Sequence, residues 1–559
     1  MDDVEEDDWW TKGHAARRRG ELTEACEAYE QAADAARDAH RPEREIEARL
    51  YAADCARRLS LPDVSSDQLH LAVQVGRRRG FDGLVARALG ELGSLAVAAG
   101  DVQVGAAWYR EALELAQSAG DERAAATQLG NLGLLALQRG DHDTARDLLT
   151  QRLNKALEMR AVDAAAATLT SLAEVEMASN NPDAAERALH QSLSLRRGKR
   201  TVSAVRGVAC SLVLLTRLAR ARGQLTEAQA LAERALKAAT AAKAERETAH
   251  AHLQLGHLAG DRGERTRARE HLEQAAEGLR LSGDVLQGLV ADVTLAGLVI
   301  DEGDYQAAHE LYTRAAAGFR DSDNPGAAID AAQVAAQLDA RMGRLAEAET
   351  TLHSAMKDAE ALGYEAAITR IEVNLASAQV AAGHTEAGVA GCLAGGRRFE
   401  EMGRSGDQAM ALLSAGEALT ISNRLDAADS IFTECESLLR ERADERGLRV
   451  VDAWRCHVRL LRDGRHEDAS SLSKLCTGLE AAGDLGVALR HRLALATRPG
   501  AEPALAREVA KRAETVGLWP LATEARAWLS SDDEAEALAT EAEARGYVTL
   551  ARCIRSREA

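Results

Sequence analysis

The chain has 559 residues, a formal net charge of −19 and only 3% aromatic residues. A negative charge of this size disfavours general binding to a nucleic acid backbone, so we expect no nucleic acid partner. We also expect no membrane partner and no signal peptide, because the start of the chain is acidic and no run approaches the roughly 18 consecutive apolar residues of a membrane span.

Residues 1–7 are acidic and are predicted to form a disordered tail. After this tail, a turn-forming residue recurs about every 40 residues. Apolar residues are spaced three or four apart on both sides of each such residue, which predicts a helix before it and a helix after it. A second turn, often at a glycine, falls midway, so each period predicts one pair of antiparallel helices. The recurring residues are Gly20, Ser60, Gly100, Gly140, Asn180, Gly223, Gly263, Gly303, Gly343, Gly383, Asn423 and Gly464.

This pattern resembles the tetratricopeptide repeat over about residues 8–485. The match is plainest in the first period, where the aromatic, small and large residues of the family are Trp9, Gly13, Gly20, Ala25, Tyr29 and Ala32. The segment 112–145 resembles the 40-residue variety of the repeat, which occurs in bacterial signalling regulators and polarity adaptors. The resemblance implies an all-α fold, a right-handed superhelical α-solenoid of about 12 or more helix-turn-helix repeats, in which each repeat contacts only its neighbours.

The spacing of the turns slips once, between Asn180 and Gly223, near the most basic segment of the chain. We therefore divide the repeats into an N-terminal array, residues 8–195, and a C-terminal array, residues 204–495. Residues 196–203 are predicted to be an exposed basic loop between them, with Arg196, Arg197, Lys199 and Arg200. A solvated connection is the simplest interpretation. A docking patch for an acidic partner or phosphate, or a protease-sensitive loop, are the alternatives.

The regular turns end near residue 496, where Pro499, Gly500 and Pro503 interrupt the pattern. Residues 496–559 are predicted to form an irregular helical cap, because the terminal units of solenoids need an atypical closing surface. We expect Trp519 and Trp528 to cover the last hydrophobic face.

No catalytic or cofactor-binding motif is recognisable, so we predict no enzyme activity and no cofactor. The eight cysteines are scattered without a CxxC pair, which favours a reducing, cytoplasmic location. Cys392 is predicted to be a structural thiol within a glycine-rich and poorly packed helix, residues 388–400.

His250, Gln254, His257 and Asp261 are spaced to share one stripe of a helix. The two histidines would be two turns apart, roughly 10 Å along the axis, which is far for one metal ion. We therefore predict no metal site, and we interpret the stripe as a polar wall, with a recognition hotspot as the alternative.

In the tetratricopeptide family, the first helix of each repeat lines a concave groove that binds partners. The resemblance places on the groove stripe the residues Arg87, Asn131, Gln138, Glu174, Arg217, Arg220, Gln254, His257, Thr294, Asp301, Gln333, Gln337, Arg341, Arg370, Asn374, Ser377 and Glu417. Asn131 and Asn374 stand out because a side-chain amide can donate and accept hydrogen bonds at once, which suits a peptide backbone.

The sequence thus favours a bacterial, cytoplasmic scaffold or adaptor that binds a protein or peptide in its groove and regulates that partner. Two alternatives remain open. One is a sensor that binds a signalling peptide or small ligand, and the other is a target that is cleaved at the basic loop.

Overall fold

The computed structural model describes residues 2–556, which form 29 α-helices and no strand. The chain divides into two compact units, a first unit, Met1–Gln254, and a second unit, Leu255–Ala559. The boundary lies within helix α13, Glu245–Asp261.

The helices before this boundary are α1 Asp2–Arg19, α2 Leu22–Asp38, α3 Pro42–Arg58, α4 Pro62–Arg79, α5 Asp82–Ala98, α6 Val102–Ser118, α7 Glu122–Gln138, α8 His142–Glu158, α9 Val162–Ala178, α10 Pro182–Leu195, α11 Val202–Ala221 and α12 Leu225–Ala241. Those after it are α14 Arg265–Leu281, α15 Val285–Glu302, α16 Tyr305–Asp321, α17 Pro325–Arg341, α18 Leu345–Leu362, α19 Glu365–Ala381, α20 Thr385–Glu401, α21 Ser405–Ile421, α22 Leu425–Glu441, α23 Glu445–Asp463, α24 His466–Ala482, α25 Leu485–Ala496, α26 Pro503–Thr515, α27 Trp519–Ala527, α28 Asp532–Ala544 and α29 Val548–Arg555.

Every recurring turn residue predicted from the sequence adopts a left-handed backbone conformation between two helices. This includes the three that are not glycine, namely Ser60, Asn180 and Asn423, whose φ angles are 59°, 56° and 57°. Left-handed residues commonly end helices, because they let the chain reverse direction while the last carbonyl groups still find partners. The predicted all-α repeat fold, with twelve helical hairpins from α1 to α24, is therefore confirmed.

In several hairpins, a large residue of the second helix fills the space beside a small residue of the first helix. A Cβ atom at Gly93 would lie only 2.6 Å from the Tyr109 ring, and one at Gly416 only 2.4 Å from the Phe432 ring. The same 16-residue spacing pairs Gly133 with Leu149. Close packing of this kind requires glycine on the first helix, which is why these glycines occur within helices.

The odd-numbered helices form the inner wall of each unit. Among the described helices, the pairs two apart in the chain that approach each other most closely are all odd-numbered, as with α5 and α7 or α19 and α21. In a stack of hairpins, the layer whose members approach one another directly lies on the shorter, concave side. We call the odd-numbered helices the wall helices.

Within the second unit, the last wall helices stack end to end on earlier ones. The start of α25 lies on the turn at Gly303, the start of α27 on the turn at Gly343, and α29 on the turn at Gly383. A Cβ atom at Gly343, which has a φ of +86°, would lie 2.8 Å from the Trp519 ring. The second unit therefore returns onto itself five hairpins after α15.

Side chains of α29 and the turn before it tie this stack to the ends of α17 and α19. The Tyr547 hydroxyl donates a hydrogen bond to the carbonyl of Ala340, and the Thr549 hydroxyl donates one to the carbonyl of Val380. Tyr547, Leu550 and Ile554 also share a hydrophobic cluster with Leu345. The predicted cap thus packs on repeats far from it in the sequence, whereas Trp528, which we expected to cover the last hydrophobic face, is 41% exposed.

Two local expectations need correction. Helix α1 begins at Asp2, so residues 2–7 continue a helix where we predicted disorder, and Met1 lies outside the described residues. No glycine or proline precedes Gly13, and acidic residues are favourable in a first helical turn. The glycine-rich helix α20 packs closely rather than poorly, since a Cβ at Gly395 would lie 2.3 Å from Val373. Cys392 in this helix is fully buried, which raises the pKa of its thiol.

Helix α11 is long and apolar enough to cross a membrane by length and composition, with a mean hydropathy of 1.6 in its most apolar window. The sequence analysis did not anticipate this, because Arg206 and Arg217 interrupt the apolar residues. In the first unit this helix is a wall helix, and its Leu212 belongs to a buried cluster with Ala235 and Ala251.

Candidate functional site

All seventeen predicted groove residues lie on wall helices, from Arg87 on α5 to Glu417 on α21. This follows from the repeat register, because the stripe chosen in each repeat belongs to its first helix. Their surroundings differ, however. Gln254 and Gln333 are buried, whereas Arg87, Gln138 and Gln337 are exposed.

In the first unit, two of the predicted groove residues, Asn131 and Glu174, lie in contrasting environments. Asn131 donates a hydrogen bond from Nδ2 to Oε1 of the buried Gln128, at a distance of 3.2 Å. Glu174 is exposed, yet desolvation by the surrounding protein raises the pKa of its carboxyl against the opposing effect of Arg217 and Arg246. The Glu174 carboxyl is thus exposed to solvent and at the same time surrounded by protein, as is typical of a group on a concave surface.

The second unit brings the predicted residues of α17 and α19 together. Gln337 donates from Nε2 to Oδ1 of Asn374 at 3.0 Å, which joins the amides of two neighbouring wall helices. One turn earlier on α19, Arg370 forms an ion pair with Asp330 of α17. The buried Nε2 of Gln333 has no hydrogen-bond partner among the described residues.

Glu417 on α21 is the most perturbed carboxyl of the wall. Burial raises its pKa to about 7, although Arg341 and Arg490 and the nearby indole of Trp454 act in the opposite direction. The Nε1 atom of Trp454 is buried and forms no hydrogen bond with the Glu417 carboxyl or with any other described residue. Arg490 also forms an ion pair with Glu524 of α27.

A buried pair of histidines adjoins this carboxyl and was missed by the sequence analysis. Nδ1 of His457 lies 3.1 Å from Nδ1 of His491, and Trp454 contacts both rings. Burial lowers the pKa of His457 to about 4 and that of His491 well below its usual value, which keeps both rings neutral. The sequence offers no signal for this cluster, because its members come from two different repeats.

Three predicted groove residues, Asp301, His257 and Thr294, have structural partners that reduce their availability to a ligand. Asp301 at the end of α15 pairs with Arg446 of α23 at 2.9 Å, and Arg446 also pairs with Asp484 at 2.6 Å. His257 lies 3.3 Å from the Thr294 hydroxyl. Among the described residues, no group of three or more His, Cys, Asp or Glu side chains could hold a metal ion.

The basic loop between α10 and α11 differs from the prediction at two of its four basic residues. Arg196, expected to be exposed, is 6% exposed and donates hydrogen bonds to the carbonyl of Ala166 and to Ser192. The missing side chain of Gly207 leaves room for its guanidinium. Lys199 pairs with Asp163 at 2.8 Å, so only Arg197 and Arg200 are freely exposed.

Models of the tetratricopeptide repeat match residues 9–38 and 84–161. No curated protein sequence matches the chain. Among solved structures, a Signal Transduction ATPase with Numerous Domains from Pyrococcus horikoshii, with a tetratricopeptide repeat sensor, is 17% identical over 60% of this chain and 49% of that chain, with a TM-score of 0.44.

A Rap protein complexed with Competence and Sporulation Factor is 14% identical over 68% of this chain and 99% of that chain, with a TM-score of 0.44. BtubC from P. vanneervenii is 17% identical over 43% of this chain and 92% of that chain, with a TM-score of 0.34. The family models match α1 and α2 and the hairpins from α5 to α8, and the same hairpin recurs through α24. The chain therefore contains tetratricopeptide repeats at residues 9–38 and 84–161.

Proposed function

We propose that the protein is a cytoplasmic, non-enzymatic interaction scaffold that binds an extended peptide segment of a partner protein. The binding surface is the stretch of wall formed by α17, α19 and α21 in the second unit. Three neighbouring wall helices present predicted groove residues there, and a peptide lying across them would cross one helix about every 10 Å.

The observation that carries this proposal is the amide pair of Gln337 and Asn374. Their mutual hydrogen bond uses one donor and one acceptor. The Nδ2 group of Asn374 and the Oε1 atom of Gln337 have no partner within the described residues, so the pair presents a donor beside an acceptor. A peptide unit carries one N–H and one C=O, which matches this arrangement.

The charged residues beside the amides would make such a site prefer some peptides over others. Arg370 adjoins the pair on α19, and Glu417 follows on α21. Because the Glu417 carboxyl has a pKa of about 7, a cationic group on the partner would favour its ionised form. We therefore expect the preferred peptides to carry a Lys or Arg side chain that reaches Glu417.

The proposal is tested by selecting peptides from a random display library on the full-length protein. Each selected peptide is then measured by fluorescence anisotropy against Gln337→Ala and Asn374→Ala. We expect each substitution to weaken binding about 5- to 30-fold, the loss of one or two hydrogen bonds. Asn154→Ala, at an exposed amide on the even-numbered helix α8, is the matched control and should leave affinity unchanged.

Selected peptides that bind both groove variants as tightly as the wild-type protein would refute the proposed surface. So would a library that yields no peptide whose binding saturates. Thermal unfolding of each variant distinguishes a lost contact from a lost fold.

A further inference from the structure

A cleft of about 570 Å³ opens in the first unit, where the start of α7, the end of α8 and the first turn of α9 meet. None of the residues that line it belongs to the predicted groove. Four of them are cationic, and Asp163 is the one carboxylate in the lining. The cationic residues are Arg123, Arg152, Arg160 and Lys199.

Positive charge in this cleft is largely uncompensated. Lys199 pairs with Asp163 at 2.8 Å, and the neighbouring Glu122 pairs with Lys155. The guanidinium groups of the three arginines have no ion pair or hydrogen bond with any described residue. Three unpaired cations therefore share one cleft in a chain whose formal net charge is −19.

Arg152 is the central cation of this set. Its guanidinium lies against the backbone of Gly130, where a Cβ atom would come within 2.7 Å of Nη1. Burial lowers the pKa of Arg152, and no carboxylate acts against that effect. A cation that is partly removed from water without a counter-charge gains from an anion placed beside it.

We infer that this cleft binds a phosphate monoester carried by a small organic molecule. Guanidinium groups match phosphate oxygens with paired hydrogen bonds, so Arg152, Arg123 and Arg160 would hold the phosphate. The volume lies within the range of small-molecule sites and exceeds what a phosphate group fills. Apart from Thr127 and the ion pair of Lys199 with Asp163, the remaining lining is apolar. It includes Ala126, Ala156, Met159 and Val162, which would contact the organic part.

The inference is tested by isothermal titration calorimetry of the full-length protein at low ionic strength. The probes are phenyl phosphate, inorganic phosphate and phenol. We expect phenyl phosphate to bind with a Kd below about 1 mM, inorganic phosphate at least about 5-fold more weakly, and phenol without measurable heat.

Two substitutions should change the affinity in opposite directions. Arg152→Gln is expected to weaken phenyl phosphate binding by about 10-fold or more, because it removes a charge-assisted pair. Asp163→Asn removes the only carboxylate of the lining and should strengthen binding about 3-fold. Arg110→Gln, at an exposed arginine on α6, is the matched control and should bind as the wild-type protein does.

Arg160→Gly provides a second variant in case Arg152→Gln impairs folding. Arg160 is exposed and has a φ of 54°, a conformation that glycine adopts without strain, so this variant should fold and bind about 3-fold more weakly. The inference is overturned if phenyl phosphate shows no saturable binding, if inorganic phosphate binds equally tightly, or if Arg152→Gln and Arg160→Gly both bind as the wild-type protein does.

Discussion

Each repeat reverses direction at a single left-handed turn residue, and Ala443 is a residue type that is strained in this conformation. It lies between α22 and α23 with a φ of 53° and is exposed. Most equivalent turns have glycine, which adopts this conformation freely, whereas an L-residue with a Cβ atom is strained there.

We predict that Ala443→Gly stabilises the protein by about 0.5 kcal/mol, because relief of left-handed strain outweighs the greater entropy of glycine in the unfolded chain. The measurement is the urea midpoint of unfolding. The control is Ala119→Gly, at an exposed position with a φ of −79°, which should destabilise by about 0.5–1 kcal/mol. Equal losses for the two variants would show that Ala443 is not strained.

The protonation of Glu417 makes the stability of the second unit depend on pH. Because burial raises its folded-state pKa to about 7, its carboxyl holds more protons in the folded protein than in the unfolded chain at intermediate pH. The favourable contribution of the protonated carboxyl is therefore complete below its unfolded-state pKa, near 4.5, and is lost as the pH rises through 7.

The side chain of Glu417→Gln cannot ionise. We predict that the free energy of unfolding of this variant, relative to that of the wild-type protein, rises by about 1–2 kcal/mol when the pH is raised from 5 to 8. Urea unfolding of both proteins at the two pH values measures this change. A stability difference that is the same at pH 5 and pH 8 would contradict the raised pKa.

At the scale of helices, contacts between residues close in sequence could be predicted, whereas contacts between distant residues could not. Helix pairs were predictable because the turn residue, the small residue at position Gly93 and the large residue at Tyr109 all lie within one repeat. The position of the predicted groove residues on the first helix of each repeat was likewise predictable from register. The stack of α27 on the turn at Gly343 was not, since it joins positions that are distant in sequence and carry no shared motif.

The C-terminal stack also predicts which tryptophan stabilises the second unit. Trp519 packs on Gly343 and contacts the Tyr547 ring at a centroid distance of 5.7 Å, whereas Trp528 is 41% exposed. Trp519→Ala should therefore destabilise the second unit by about 3 kcal/mol, and Trp528→Ala by less than about 1 kcal/mol.

Hydrogen exchange of α17 and α27 in the two tryptophan variants provides this comparison. Faster exchange in both helices is expected for Trp519→Ala alone. Equal effects of the two substitutions would mean that the stack contributes little to stability.

At the scale of the molecule, polar chemistry is concentrated at two separate places. The second unit has the amide pair and the perturbed carboxyl on its wall, and the first unit has the cationic cleft at the edge of α7, α8 and α9. Sequence register predicted the individual wall residues, but not the meeting of Gln337 with Asn374. It also could not show that Arg152 has no counter-charge among the described residues, because that depends on side chains from three helices.

The central claim is that the wall formed by α17, α19 and α21 binds an extended peptide. Hydrogen–deuterium exchange of the full-length protein, with and without a saturating peptide selected on it, tests this claim most directly. We predict slower exchange in these three wall helices, with little change in the even-numbered α18 and α20. Protection confined to the even-numbered helices or to the first unit would contradict it.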